Sequence, residues 1–130
     1  MKIIFFLISI LLISCSHNNR DVKEKIIGRW EINEIKFNNK DYLSYLYSNI
    51  LIFEKNGIIS IPETVHFIED KNSKWNYVDG KIKIMTTNLA FKDTFDFSFL
   101  DKSEMNPRGL ILRSDSIYIK LYNLFDLEKN

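Results

Sequence analysis

The chain has little from which to assemble catalytic chemistry. It holds one cysteine, Cys15, in 130 residues, so no disulfide forms within it and stability has to come from a packed core. Its two histidines, His17 and His66, are too few for the usual cysteine–histidine zinc sites. A serine nucleophile would need His66 as its base and a third group to orient it, and no Gly-x-Ser-x-Gly context surrounds any serine. His66 alternates with Val65 and Phe67 or shares their neighbours' face, a surface or structural position either way. With four glycines in all, there is no phosphate-cradling loop. Basic residues number 18 and acidic residues 17, a balance without the basic stripe that nucleic acid requires. The longest apolar stretch, Ile3 to Ile13 and broken only by Ser9, is well short of the roughly 20 residues of a spanning helix.

The carboxylates form no pair for acid–base work. Asp93 and Asp96 are three apart on a predicted strand and so lie on opposite faces. Asp70-Lys71-Asn72-Ser73 offers oxygens suited to calcium but lacks the loop length and glycine of an EF-hand. No catalytic residue, no metal ligand and no cofactor is expected, and the chain does not read as an enzyme.

What is present begins at the N-terminus. Met1-Lys2 supplies a minimal positive region, Ile3 to Ile13 an apolar one of secretory length, and Leu12-Ile13-Ser14-Cys15 follows. That ending resembles the lipobox of bacterial lipoproteins: an aliphatic residue, a tolerant position, a small residue, then cysteine. The resemblance implies a signal peptide over 1–14, cleavage before Cys15 and lipid on its thiol. Three acyl chains on one residue exceed what stable anchoring needs. The polar stretch 15–25 reads as a lipidated tether, and 26–130 as one domain. No acidic cluster follows the cysteine, which points to the bacterial cell envelope at the periplasmic face of the outer membrane. The membrane, reached through the lipid on Cys15, is the first expected partner, and the protein is expected to be a monomer.

From Ile26 onward the apolar pattern has mostly period two, the signature of half-buried strands. Ile26 to Phe37 reads as a long strand whose buried face changes parity between Ile32 and Ile35, predicting a bulge near Asn33. Asp41 to Ser48 is the single short helix candidate. Asn56-Gly57 and Asp79-Gly80 are hairpin turns. Strands are predicted over 50–54, 58–62, 64–69, 74–78, 81–86, 93–100, 110–114 and 117–123. The fold class is all-β: an antiparallel meander of about eight strands closing into a barrel, which leaves no free edges.

Gly28-Arg29-Trp30 near the start of the first strand, the Phe53-to-Gly57 hairpin, Trp75 to Gly80, and Leu110-Ile111-Leu112 before a short turn together resemble the lipocalin-like domains of bacterial lipoproteins. The resemblance covers Ile26 to about Phe125. It implies a calycin-type barrel in which Gly28 allows close approach at the entrance and Trp30 plugs one end, covered by a basic residue for which Arg113 and Lys120 are the candidates. A mid-chain Thr-Asp-x-Tyr-type motif has no counterpart here.

Phe53, Ile61, Trp75, Tyr77, Phe95, Phe97 and Phe99 are predicted to converge inside the barrel. They either fill it or line a pocket for a small hydrophobic ligand. The first alternative leaves the outer surface and loops to grip another envelope protein, as an inhibitor or immunity-type module would. A void among Trp75, Tyr77 and Phe97 would favour the ligand. A solvent-facing cluster of Tyr118, Tyr122 and the Tyr42–Tyr47 segment would favour the protein partner.

Overall fold

The computed structural model describes residues 20–68, 71–104 and 106–128, with 127 and 128 described by their backbone alone. Among the described residues nine strands follow one another: β1 (Gly28–Phe37), β2 (Lys40–Asp41), β3 (Ile50–Phe53), β4 (Ile59–Ser60), β5 (Lys74–Val78), β6 (Lys81–Met85), β7 (Asp93–Leu100), β8 (Gly109–Arg113) and β9 (Ile117–Asn123). In space they lie in the order β4-β3-β1-β9-β8-β7-β6-β5, every pair antiparallel, with β2 a short hairpin arm on β1. The two ends of this path meet. Ile58 pairs with Lys74, the Ile59 N–H donates to the Ser73 carbonyl at 3.2 Å, and the Trp75 N–H donates to the Gly57 carbonyl at 2.9 Å. The result is a nearly closed eight-stranded antiparallel barrel, as the alternating pattern predicts.

Register explains how one dry face is kept around the wall. Trp30 and Ile32 point inward, the β1–β9 ladder slips between Ile32 and Glu34, and Ile35 resumes the inward position. The bulge therefore falls at Asn33, where the change of parity places it. Leu51, Ile82, Leu110, Leu112, Ile119 and Leu121 complete the inner face, all of them fully buried. Asn38 and Asn39, then Asp79 and Gly80, have positive φ at both central turn positions. That backbone matches the twist of the strands it joins. Gly28 has φ +143°, yet a Cβ there would meet nothing within 4 Å. Glycine serves this position through its backbone conformation, not through the close approach expected of it.

Three segments differ from the sequence reading. Residues 20–26 are helical (α1), so the expected tether over 15–25 runs into an ordered element whose Ile26 is wholly buried and whose Val22 packs on the core. The predicted helix over 41–48 shrinks to a single 3₁₀ turn, Leu43–Tyr45, because its apolar residues are drawn towards the barrel end instead of forming one helical stripe. Of the strand expected over 64–69, the described part is a tight turn. There the Thr64 and Phe67 backbones bond each other in both directions, leaving Val65 and Ile68 exposed. The described residues end in α2 (Leu124–Glu128), started by Asn123, whose side-chain oxygen accepts the Asp126 N–H at 3.2 Å.

Gly109 lies opposite Leu100 in the β7–β8 ladder, and a Cβ built on it would stand 2.9 Å from the Leu100 Cβ. Gly109→Ala is therefore expected to cost about 1–3 kcal/mol, measured as a lower urea midpoint with an unchanged slope.

Candidate functional site

The barrel has two unlike ends. At the first, where β1 begins and the β3–β4 and β5–β6 hairpins turn, α1 lies across the opening. Trp30 is 1% exposed, and its Nε1–H donates to the Ile26 carbonyl at 2.9 Å, tying the plug to the helix. Lys23 stands over the Trp75 ring and Lys25 over that of Phe99. The basic residue that shares a cleft with Trp30 is Arg108, alongside Lys25 and Lys102. Arg113 and Lys120, the two candidates from sequence, instead sit over Tyr118 and Tyr122 on the outer wall. They follow the outward parity of β8 and β9, which carries them away from the core.

Asp126 of α2 locks this end. Its carboxylate accepts from the Arg108 Nε–H at 2.9 Å and from the Arg108 backbone N–H at 3.1 Å, with Lys102 at 3.8 Å. Burial by itself pushes the carboxyl up. The two Arg108 hydrogen bonds and the charges of Arg108 and Lys102 outweigh it and hold the group below its ordinary value. A depressed folded value means that the lock stabilises fully above about pH 4, the range of a free carboxylate. The contribution fades as pH falls through the folded value. Asp126→Asn is expected to lower stability at pH 7 by about 1–2 kcal/mol, half-exposed Arg108 softening the loss. The variant should also show a flatter acid limb in a series of melts from pH 7 to pH 3.

The predicted interior residues all point inward, but they fall into two groups. Phe53 and Trp75 pack edge to face at 5.2 Å, and the Trp75 Nε1–H donates to the Glu54 carbonyl. Phe95 is fully buried in mid-barrel, and Ile61 is buried towards the second end. Tyr77, Phe97 and Phe99 form a half-buried row, with edge-to-face contacts of 5.8 and 5.5 Å. These side chains close on one another and fill space. The main clefts among the described residues lie at the ends and on the outer wall, and none is walled by Trp75, Tyr77 and Phe97 together. Tyr118 and Tyr122 lie half-exposed on the outer face of β9, whereas Tyr45 and Tyr47 are exposed on the loop after β2.

The second end is built from three connections that are distant in sequence. Tyr42 packs edge to face on Phe37 at the end of β1 and stacks with Tyr45. The Tyr47 N–H donates to the Glu63 carbonyl, fastening this loop to the turn at 64–67. The β6–β7 connection folds back on itself. Thr86 Oγ1 accepts from Ser73 Oγ and from the Asn88 N–H, and Asn88 Oδ1 accepts the Ala90 N–H at 3.1 Å. Ala90 and Phe91 are thereby driven into the barrel as a floor, both at most 1% exposed.

Between these connections opens a recess of about 280 Å³. Its walls include Phe37, Tyr42, Phe67, Leu89 and Ala90, with His66 and Thr87 at the edge. Thr64 and Asn88 line it too. They are 3% and 4% exposed, and Thr64 Oγ1 and Asn88 Nδ2 have no hydrogen-bond partner among the described residues. The amide is fixed in orientation: its oxygen must face the Ala90 N–H, so its NH₂ is the unsatisfied side. A buried polar atom left unpaired costs about 1–3 kcal/mol, and two of them in one recess mark it out. Tyr45, Tyr47, Val65, Ile68 and Leu89 on the same connections are large apolar or aromatic residues exposed to solvent.

The first-end cleft is smaller, about 150 Å³, and its Lys102 and Arg108 are bonded to Asp126. Hollows of about 370 and 390 Å³ lie outside the wall, beside Ile50 and beside Gly57, without an unpaired buried polar side chain among the described residues. No group of three or more His, Asp, Glu or Cys side chains gathers as a metal site among the described residues. Cys15 and Asp70 lie outside the described residues.

Sequence reasoning named none of Thr64, Phe67, Asn88 or Leu89 as a site residue. The one available signal was the polar run Thr86-Thr87-Asn88 between two strands, which by itself reads as an ordinary loop. Comparison of the chain with protein-family models, with curated proteins and with solved structures gives no match.

Proposed function

We propose that this chain is a lipid-anchored, lipocalin-like protein of a bacterial cell envelope that binds a small hydrophobic ligand at the mouth of its barrel. The observation that carries the reading is the contrast between a solidly packed interior and one end that keeps an aromatic-walled recess with two unsatisfied polar atoms. Ligand sites typically combine apolar walls with a few placed polar groups. The lipobox-like ending at Cys15 supports the anchor. From Cys15 to Arg20 the chain reaches at most about 17 Å, so the α1 end is the one held near the membrane and the recess opens away from it. The ligand is thus offered from the periplasmic side and not from the bilayer beneath.

A second reading has its own support. The exposed Tyr45, Tyr47, Val65, Ile68 and Leu89 around the same end suit a protein contact, as in an interaction or immunity-type module with a filled barrel. A native mass spectrum of the mature chain, extracted from its host in mild detergent, separates the two. A retained small hydrophobic mass is the expected result. A bare protein mass across repeated preparations counts against a ligand, and a stoichiometric second polypeptide favours the alternative.

A further inference from the structure

We propose that the outer wall formed by β5, β6 and the β3–β4 turn docks on the anionic headgroups of the membrane that holds the Cys15 lipid. The inference rests on the reading of Cys15 as an anchor and adds the surface by which the barrel meets the bilayer.

The even charge of the whole chain hides a local excess of one sign. β5 and β6 alternate strictly in what they bury. Trp75, Ile82 and Ile84 are buried, while Lys74, Asn76, Val78, Lys81, Lys83 and Met85 are exposed on the outer side. Pairing sets Lys74 beside Met85, Asn76 beside Lys83 and Val78 beside Lys81. At the seam where the barrel closes, Ile58 pairs with Lys74, and the hollow of about 390 Å³ beside Gly57 gathers Lys23 of α1, Lys55 and Lys74. No acidic residue lines that hollow, and none stands on β5 or β6. Glu54 and Asp79 lie in the two turns that bound the wall. Of the five lysines only Lys81 has a carboxylate partner among the described residues, Asp96 at 3.1 Å. The wall of β1 and β9 is unlike it: Glu34 pairs with Lys36, Glu31 accepts from Asn49, and Lys120 lies over Tyr122.

A second feature fixes the partner. Ile58, Val78 and Met85 are exposed among these lysines. A soluble polyanion offers nothing to such side chains. A bilayer interface offers phosphates to the ammonium groups and the upper acyl region to the aliphatic ones, with the lysine stems lying along apolar atoms. The anchor selects the same face. The stretch from Cys15 reaches α1 at Arg20, and Lys23 follows within one helical turn. Lys55 and Val78 lie at this end too, in or beside its hairpin turns. The barrel therefore leans onto this wall from its anchored end, and the recess at the other end stays open to the periplasmic side.

Each lysine at an anionic surface favours docking about five-fold, so the four without a carboxylate partner favour it on the order of several hundred-fold together. The test uses the full mature chain, purified in detergent from a bacterial host. It is mixed with vesicles of phosphatidylcholine alone, or of phosphatidylcholine and phosphatidylglycerol in equal parts. The vesicles are floated, then treated with a water-soluble amine-acylating reagent whose sites are read by mass spectrometry. Lys55, Lys74 and Lys83 are expected to label at least about five-fold more slowly on the anionic vesicles than on the neutral ones. Lys36, Lys40 and Lys92, away from the wall, should label equally on both. Salt at about 1 M, which screens charges within about 3 Å, should remove the difference. The double variant Lys74→Glu, Lys83→Glu should remove it at low salt with an unchanged melting temperature, since both side chains are exposed and unpaired among the described residues.

Flotation on both vesicles with equal labelling throughout, or with protection centred on Lys36, Lys40 and Lys92, overturns the docking and leaves the anchor in place. So does a double variant that keeps the protection. Flotation on the anionic vesicles alone, with the wall protected, supports the docking surface and overturns the anchor. Flotation on neither overturns both. Protection of the same lysines by soluble polyphosphate, with none on anionic vesicles, gives the wall to a soluble polyanion and overturns bilayer docking.

Discussion

Replacing Trp30 with alanine is expected to remove about 3–5 kcal/mol of unfolding free energy, the largest loss from any single substitution considered for this chain. Trp30 is the largest fully buried side chain among the described residues, 1% exposed, and its neighbours come from β1, β3 and β9 through pairing with Leu51 and Asn123. Its removal opens a cavity that rigid strands cannot collapse to fill. The Ile26 carbonyl also loses its donor, and α1 loses the contact that holds it across the barrel. For a domain of this size the melting temperature should fall on the order of 15 °C. Guanidinium unfolding of the full chain in detergent gives the number. A loss under about 1 kcal/mol would show that Trp30 does not plug this end.

Phe95→Ala is expected to cost nearly as much, about 3–5 kcal/mol, for a different reason. Phe95 is 0% exposed and pairs with Ile82 in the β6–β7 ladder at mid-height of the barrel. If the interior is filled, alanine leaves a dry hole close to the size of a benzene ring. The variant should therefore regain part of its melting temperature in the presence of benzene, whereas wild type should not respond. A hollow barrel gives the opposite pattern: a small cost for Phe95→Ala and benzene stabilisation of the wild type. This pair of melts thus decides between a packed interior and a deep pocket, independently of any ligand at the mouth.

The fold was largely legible because it is written in local rules. The parity change between Ile32 and Ile35 located the bulge at Asn33, and Asn56-Gly57 and Asp79-Gly80 marked two hairpins. Phe95, Phe97 and Phe99 alternating with Thr94, Asp96 and Ser98 gave β7 without error. The helices were less legible. In 20–26 only Val22 and Ile26 carry an apolar stripe, a single i, i+4 step among five charged residues, so the segment reads as a tether until the barrel end is there to receive it. In α2 the Asn123 cap follows a strand without a break, and nothing in the sequence distinguishes it from the strand's last residue. The turn at 64–67 alternates like a strand, and only the backbone bonds between Thr64 and Phe67 reverse the chain there.

The site was less legible than the fold, and for a physical reason. Phe37 ends β1, while Tyr42, Thr64, Phe67 and Asn88 belong to three connections separated by many residues, and they meet only once the barrel closes. An unsatisfied polar atom is a property of burial and of partners that other segments fail to supply. Threonine and asparagine in a loop carry no such mark in sequence. Of the residues that sequence did single out, Phe53, Ile61, Trp75 and Phe95 are buried and Tyr77, Phe97 and Phe99 are half-buried against the core. Inward-facing aromatics alone do not distinguish a wall from a filling, and ring contacts at 5.2 to 5.8 Å make these a filling.

The most direct test of a ligand mouth opposite the anchor is a chemical-shift map of the isotope-labelled chain in nanodiscs, titrated with decanamide as a small hydrophobic probe. Saturable shifts at Thr64, Phe67, Leu89 and Ala90, with Phe95 and Trp30 unmoved, are the predicted result. Saturable shifts centred on Trp30, Phe97 and Phe99, or no saturable shift anywhere, would contradict it.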